Sequence, residues 1–118
     1  MSRRWHEGWW TGARRVDSPN HGPRPAGAEI TLVVLHSISL PPGRYGGDAV
    51  ERLFTNRLES AAHPSFAGLE GLQVSAHFFV RRDGAVVQFV SCDQRAWHAG
   101  VSSWRGRSNC NDWSIGIE

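Results

Sequence analysis

The chain has 118 residues, of which 40% are hydrophobic, so it can bury the core of one small domain and is not a disordered chain. Its net charge is only +2 and its 13 basic side chains, all arginine, are scattered, so we expect no nucleic-acid partner. No apolar run approaches the roughly 20 residues that span a bilayer, and no hydrophobic signal region follows the start. We therefore expect a cytoplasmic protein with no membrane partner.

Two cysteines, Cys92 and Cys110, occur without a C-x-x-C pair. This arrangement is typical of reduced thiols and not of a disulfide framework or a zinc knuckle. We expect both to be small buried or half-buried residues.

The first 29 residues predict an irregular lead-in, because the stretch over 17–29 is rich in proline, glycine and polar side chains. The segment ITLVVLH over 30–36 then predicts a strand. Its alternate residues are apolar on both faces, which is typical of a central strand that is covered on both sides.

Helical patterns follow the turn-rich loop after this strand. Asp48 and Glu51 have the spacing of a capping box, and apolar residues at helical spacing come next, so a short helix is predicted over about 48–57. A weaker pattern predicts a second helix over about 64–70.

The strongest local signal is VSAHFFVRRDGAVVQFV, in which two apolar strands flank the turn dipeptide Asp83-Gly84. A further strand is predicted over 112–118, with Trp113, Ile115 and Ile117 on one face. The predicted fold class is α/β, with a mixed central sheet of at least four strands and flanking helices. Residues 1–118 are expected to form a single incomplete domain, with the lead-in over 1–29 and the core strands and short helices over 30–118.

Two side chains stand where strands end. His36 ends the apolar strand and enters a glycine- and proline-rich loop, where α/β sheets carry ligand and catalytic sites, although a lone histidine there is more often structural. Glu118 shares a strand face with Ser114 and Gly116, small residues that would leave space for a carboxylate reaching into a cleft. The alternative is a strand-end charge that faces water.

Four segments in order carry a resemblance to a known family: LVVLHSISLPPG, VSAHFFVRRDGAVVQFV, RAWHAGVS and CNDWSIGIE. The chain resembles the zinc-dependent AmpD amidases, a family of cytoplasmic N-acetyl-anhydromuramyl-L-alanine amidases of Gram-negative bacteria. The resemblance runs from about Gly8 to the last residue and implies the fold of zinc amidases and peptidoglycan-recognition proteins. It implies that His36 is a zinc ligand and that Glu118 is the catalytic carboxylate. One departure is Ser37, where family members commonly carry asparagine.

The resemblance also implies that the family chain continues past Glu118 to a second histidine ligand, an aspartate ligand and an active-site lysine. We therefore expect this chain to be the N-terminal part of a longer protein, with the C-terminal part of the fold missing. Because one ligand of three cannot fix tetrahedral Zn²⁺, we expect the 118-residue piece itself to be inactive and to bind zinc weakly.

Further candidates line the expected site. Trp97 offers an apolar face for a sugar or peptide, and Arg107 and Asn111 offer groups that bind carboxylates or amides, although burial of Trp97 and solvation of the other two are equally plausible. His77 and His98 belong to the family pattern without being metal ligands there, so we expect them to line the site or to form hydrogen bonds. His6, His21 and His63 are expected at the surface.

The resemblance thus implies zinc-dependent hydrolysis of the amide bond between anhydro-N-acetylmuramic acid and L-alanine of muropeptides, in cytoplasmic peptidoglycan recycling. The expected partner is a small muropeptide substrate, and the expected oligomeric state is a monomer. If the chain truly ends at Glu118, the alternative is a non-catalytic muropeptide-binding module.

Overall fold

The computed structural model describes residues 4–41, 43 and 46–118. Short strands dominate, and one α-helix and three 3₁₀ segments lie among the described residues. The strands are β1 (Trp5–His6), β2 (Trp9–Trp10), β3 (Arg14–Arg15), β4 (His21–Pro23), β5 (Leu32–Leu35), β6 (Phe78–Val80), β7 (Val86–Gln88), β8 (Gln94–Ala96), β9 (Ser103–Trp104), β10 (Arg107–Ser108) and β11 (Ser114–Ile117). The helix is α1 (Ala49–Phe54), and the 3₁₀ segments are Ser60–Ala62, Pro64–Leu69 and Cys110–Trp113.

A mixed sheet organises the fold. Among the described residues it contains five strands in the order β3-β7-β6-β11-β5. Strands β6 and β7 are antiparallel, whereas β11 runs parallel to both β5 and β6, and β3 runs parallel to β7. The predicted mixed α/β fold class is therefore confirmed, although the helices are modest.

The β6–β7 hairpin was predicted correctly. Gly84 adopts a φ of 87°, which a glycine accepts without strain, and the side chain of Asp83 accepts a hydrogen bond from the backbone of Ala85 at 2.9 Å. The turn therefore satisfies its own polar groups and fixes the register Phe79↔Val87.

The prediction that the strand over 30–36 is covered on both faces is wrong for the described structure. β5 pairs with β11 on one side and is the outer strand of the five. Val33 and Leu35 are 56% and 75% exposed. The apolar pattern marks the strand correctly but does not show what, if anything, packs on its outward face.

The described part of the lead-in, 4–29, is more ordered than the predicted irregular segment. It contains four short strands; β3 joins the central sheet and β4 pairs with β8. Two-residue strands such as β3 depend on a distant partner, here Arg14↔Val87, so they leave no local sequence pattern. The single-domain organisation over 1–118 stays a prediction.

The helical predictions hold in position and differ in length and type. α1 is shorter than the predicted 48–57, and Asp48 forms an ion pair with Arg52 and makes no side-chain cap. The second predicted helix is the 3₁₀ segment Pro64–Leu69. A further 3₁₀ segment occupies Cys110–Trp113, so the last strand begins at Ser114 and not at residue 112.

The core lies between α1 and one face of the sheet. Val50, Leu53 and Phe54 of α1 are buried, and the ring of Phe54 meets that of Phe89 edge-on at 5.1 Å between centroids. Burying side chains of this size contributes about 1.5–3 kcal/mol each. This packing holds α1 against the sheet that carries the candidate site.

No helix in the described part of the chain is long and apolar enough to cross a membrane.

Candidate active site

His36 and Glu118 follow neighbouring parallel strands at the same edge of the sheet. Leu35 pairs with Ile117, and the backbone N–H of His36 donates to the carbonyl of Ile117 at 2.8 Å. One residue further along each strand, His36 and Glu118 face the same side, because side chains alternate along strands in register. Both expected site residues therefore lie where parallel strands end, the usual position of α/β sites.

The backbone of Glu118 is held firmly by β6. Its N–H donates to the carbonyl of Phe78 at 2.9 Å, and its carbonyl accepts from the N–H of Val80 at 2.9 Å. The carboxyl group is half-buried, and its Oε2 has no hydrogen-bond partner among the described residues. Burial raises the pKa of the Glu118 carboxyl to about 7. This group is not simply a solvated strand-end charge.

A pocket of about 290 Å³ opens beside Glu118. Ser37, the residue that departs from the family pattern, is among the residues that line it. The lining is completed by Ile38, Ser39, Leu40, Gly46, Gly47, Val50, Phe79, Val80, Arg81, Arg82 and Glu118.

His36 makes its side-chain hydrogen bond to another histidine. Its Nε2 lies 3.0 Å from Nδ1 of His98, and Nε2 of His98 lies 3.0 Å from the hydroxyl oxygen of Ser114. Burial lowers the pKa of His36. The pKa of His98 is lowered to about 3, chiefly by burial and further by the neighbouring His36, His77 and Arg24 side chains. Both rings are therefore neutral near pH 7.

His98 occupies the space that Ser114 and Gly116 leave free. The prediction that this space serves the Glu118 carboxylate is wrong, because the imidazole of His98 packs directly over Gly116. The space above the small residues of β11 is therefore filled by the His98 ring and is not an open cleft.

His77 is fully buried behind this pair. Its Nε2 lies 2.8 Å from the carbonyl oxygen of Gln94, and its Nδ1 accepts from the N–H of Gly116 at 3.1 Å. Since a carbonyl only accepts, the proton is on Nε2, and a second proton would point at the Gly116 N–H. Burial lowers the pKa of His77 to about 4. As expected, His77 and His98 both form hydrogen bonds.

Arg24 is a residue that the sequence analysis did not single out. Its guanidinium donates to the carbonyls of Cys92 at 3.1 and 3.2 Å, Asn111 at 3.2 Å and Ser114 at 2.9 Å. It thereby ties the segment before β8 to the start of β11. Burial lowers the pKa of the Arg24 guanidinium below its ordinary value. The only sequence signal was one arginine in a proline- and glycine-rich stretch.

The three expected substrate-binding residues differ in their surroundings. Trp97 is half-buried and pairs through its backbone with Ser75. The side-chain oxygen of Asn111 accepts from the backbone N–H groups of His98 and Ala99, at 3.1 and 2.9 Å, and so holds the His98 loop.

Arg107 lies on the surface, with its guanidinium carbon 4.5 Å from the centroid of the Trp113 ring. Trp113 precedes β11 and Glu118 follows it, so Arg107 and Glu118 lie near opposite ends of that strand. The structure brings Asn111 to the histidine pair but does not bring Arg107 to it.

The structure also gives the burial of the remaining histidines and of both cysteines. His6 and His21 are exposed as expected, and His63 is half-buried and accepts from the backbone of Ser65. Cys92 and Cys110 are free, half-buried and buried respectively, as expected. Burial raises the pKa of the Cys92 thiol to about 11.

Metal binding can be tested against the side chains at hand. Among the described residues, no group of three or more histidine, cysteine, aspartate or glutamate side chains is placed to hold a metal ion. His36 has one ring nitrogen, Nδ1, outside its bond to His98. The described residues therefore fit one ligand position and not a complete tetrahedral zinc site.

Comparison with known proteins identifies the family of the chain. The family model for N-acetylmuramoyl-L-alanine amidase matches residues 26–118. The chain belongs to this amidase family. The 1,6-anhydro-N-acetylmuramyl-L-alanine amidase AmpD of Citrobacter freundii is 56% identical over 112 residues, and that of Escherichia coli K12 is 55% identical. The resemblance inferred from the four segments is thus confirmed.

A solved structure supports the fold assignment of the amidase chain. The crystal structure of a selenomethionine AmpD derivative matches with a TM-score of 0.92 and 55% identity, over 95% of this chain and 63% of that chain. The chain spans 60% of the Citrobacter freundii relative and 61% of the Escherichia coli relative.

Proposed function

We propose that the protein contributes the His36 and Glu118 half of an amidase active site. The proposed reaction is hydrolysis of the amide bond between anhydro-N-acetylmuramic acid and L-alanine of muropeptides. The family membership supports the reaction type, and the printed name of the AmpD relatives supports the substrate. The small muropeptide is the only partner in this proposal, which also takes the protein to be a monomer that acts in cytoplasmic peptidoglycan recycling.

The observation that carries the proposal is the environment of Glu118. Its carboxyl group is half-buried beside a pocket and has an oxygen without a partner among the described residues, and its pKa is raised to about 7. A structural carboxylate at a strand end would be solvated or paired. General acid–base catalysts work best when their pKa lies near the operating pH.

Glu118 suits both proton transfers of amide hydrolysis. In its ionised form it accepts a proton from the attacking water, and in its protonated form it returns a proton to the nitrogen of the leaving L-alanine. With a pKa near 7, both forms are populated at neutral pH. The backbone bonds to Phe78 and Val80 hold the group at the pocket.

Zinc remains a proposal in which His36 supplies one ligand through Nδ1. The described residues do not complete the site. When bound by three protein ligands, a catalytic zinc ion lowers the pKa of a water molecule and polarises a carbonyl. The remaining ligands, a histidine and an aspartate, are those that the family resemblance implies beyond Glu118.

A non-catalytic muropeptide-binding module is the second candidate. It would hold the muropeptide in the pocket beside Glu118 without cleaving it. The coding sequence past Glu118 separates the two: a His-x-Asp segment followed by Lys-x-Asp-Pro-Gly supports the enzyme, and a stop codon directly after Glu118 supports the binding module.

An assay tests the reaction and its substrate. The 118-residue chain, and the longer product wherever the coding sequence continues, are compared on anhydro-muramyl peptides, on reducing-end muramyl peptides and on insoluble sacculi. We expect release of peptide from anhydro-muramyl peptides to be clearly fastest. Equal or faster release from sacculi would assign the protein to the cell-wall hydrolases instead.

A further inference from the structure

The side chain of His36 is the first member of a chain of hydrogen bonds that ends on the backbone. His36 Nε2 lies 3.0 Å from His98 Nδ1, and His98 Nε2 lies 3.0 Å from the Ser114 hydroxyl. That hydroxyl lies 2.6 Å from the carbonyl oxygen of Cys110. The Ser114 side chain is fully buried, so water does not replace these partners.

The carbonyl at the end of this chain determines where each proton lies. A carbonyl oxygen only accepts, so the single hydroxyl proton of Ser114 points at Cys110. The hydroxyl oxygen must then accept from His98, which places the proton of His98 on Nε2. A neutral His98 therefore has an unprotonated Nδ1, and His36 must donate to it from Nε2.

The packing around His98 keeps its ring in this orientation. Asn111 accepts from the backbone N–H of His98 at 3.1 Å, and Gly116 leaves the space that the ring fills. The rings of His36 and His98 meet edge-on, with centroids 5.2 Å apart and planes at 78°. A flipped His98 ring would turn carbon atoms toward both His36 and Ser114.

We propose that His98 and Ser114 are positioning residues that fix His36 in the tautomer protonated on Nε2. Nδ1 of His36 then always carries the free electron pair. This arrangement of protons does not depend on the proposed function, whereas its use in metal binding rests on it. Partners that set the tautomer of a ligating histidine typically change metal affinity or activity by about 10- to 100-fold when removed.

His77 provides an internal reference in the same structure. Its Nε2 lies 2.8 Å from the Gln94 carbonyl oxygen and 3.3 Å from a guanidinium nitrogen of Arg24, and its Nδ1 accepts from the Gly116 N–H. The shorter bond to the carbonyl and the Gly116 N–H place the proton on Nε2, and neither involves the Ser114 hydroxyl. Removing the Ser114 hydroxyl should leave the tautomer of His77 unchanged. Any change specific to His36 and His98 is then separable from a general loosening of the fold.

The test is NMR of the metal-free, ¹⁵N-labelled protein at a pH above the ordinary histidine value of about 6.5. We expect protons on Nε2 of His36, His98 and His77, and a coupling across the N–H···N bond from His36 Nε2 to His98 Nδ1. A proton on Nδ1 of His36 in the unaltered protein, or no coupling between the two rings, would overturn the proposal. The amidase assay is separate, so failure of one does not imply failure of the other.

The variant Ser114→Ala tests what fixes the tautomer. Without the hydroxyl, His98 can carry its proton on either nitrogen, so we expect His36 to show a population protonated on Nδ1. The matched control is Ser18→Ala, another buried serine, whose hydroxyl donates to the Phe54 carbonyl and should leave His36 unchanged. If Ser114→Ala left His36 wholly protonated on Nε2, or Ser18→Ala changed it equally, the role of Ser114 would be refuted. If Ser114→Ala fails to fold, the spectrum of the unaltered protein still decides the tautomer.

Discussion

Gly116 lies directly against the imidazole of His98. A methyl group added at Gly116 would lie 2.5 Å from Cγ and 2.6 Å from Cδ2 of that ring, well inside contact distance. Gly116 lies in β11, and its backbone is not among the positive-φ conformations. The glycine is therefore required by the ring above it and not by the conformation of the strand.

Gly116→Ala should displace His98 and break its bonds to His36 and Ser114. Because the ring is rigid, the crowding should cost about 1–3 kcal/mol, measured as the free energy of unfolding in a denaturant titration. Gly68→Ala is the matched control, since a methyl group there meets nothing within 4 Å. Equal stability of the two variants would show that the His98 ring moves aside freely.

The prediction of the fold from the sequence succeeded where the signal was local. The β6–β7 hairpin needed only Asp83-Gly84 between apolar runs, and α1 needed only apolar residues at helical spacing. β3 and β4 were missed because each is a short strand held by a distant partner. The exposure of β5 was missed because an apolar face indicates only that a strand can be buried. It does not indicate which segment, if any, covers that face.

The prediction of the site succeeded in part for the same reason. His36 and Glu118 end recognisable strands, and the resemblance assigned their roles, which stay predictions. Arg24 had no such signal, because its partners are backbone carbonyls of two segments, one at Cys92 and one at Asn111 and Ser114, that lie far from it in sequence. The hydrogen bonds that link His36, His98 and Ser114 depend on side-chain positions, which the spacing of residues along the sequence does not predict.

His77 should make the protein less stable at acidic pH. Its pKa is about 4 when folded, against 6.5 ordinarily, so above about pH 6.5 it is neutral in both states. As the pH falls from 6.5 to 4, the unfolded chain binds a proton that the folded protein does not, and the free energy of unfolding decreases by about 3 kcal/mol. Below about pH 4 this contribution levels off.

The measurement compares free energies of unfolding of the unaltered protein and His77→Asn between pH 7 and pH 4. The difference between them should shrink as the pH falls, because the variant lacks the titrating ring. Ser18→Ala, a buried serine without a titrating group, is the control and should keep a constant difference. Parallel curves for His77→Asn would contradict the assigned pKa.

Arg24→Met should destabilise the fold by on the order of 3 kcal/mol, because the carbonyls of Cys92, Asn111 and Ser114 lose a charged donor. Denaturant titration measures the loss. Arg57→Met is the matched control, since Arg57 is exposed and its Nε bonds the Thr55 hydroxyl. A decrease in the free energy of unfolding no larger than that of the control would mean that water replaces the hydrogen bonds of Arg24 to these carbonyls.

Glu118→Gln should abolish most of the amidase activity in whichever form of the protein, 118 residues or longer, hydrolyses the substrate. Loss of a general base costs on the order of a hundredfold to ten-thousandfold in rate. Zinc content should be unchanged, whereas His36→Ala should lose both zinc and activity. Glu70→Gln, at an exposed position, is the control. Near-normal rates for Glu118→Gln would remove the catalytic role.

The pH dependence of the reaction should follow the same group. With the Glu118 pKa at about 7, kcat/KM should rise as the pH rises through 7 and the base ionises. The free energy of unfolding changes in the opposite sense, because the folded protein favours the protonated Glu118 carboxyl. The stabilisation from this group is complete below pH 4.5, its ordinary pKa, and is lost as the pH rises through about 7, its pKa in the folded protein. A rate that is flat across this range would assign the proton transfer to another group.

Arg107→Gln should weaken the binding of muropeptides that carry a longer peptide. Arg107 lies near the start of β11 and Glu118 follows its end, so a ligand that reaches both must span four strand residues at about 3.3 Å each. A lost charge-assisted hydrogen bond of about 1.5–3 kcal/mol lowers kcat/KM roughly 10- to 100-fold. The loss should appear for substrates with several peptide residues and be absent for anhydro-muramyl-L-alanine.

Arg105→Gln is the matched control, because Arg105 lies in the same hairpin and is likewise near a tryptophan ring, that of Trp104. A loss of equal size on the shortest substrate, or for both variants, would show that Arg107 does not bind the peptide.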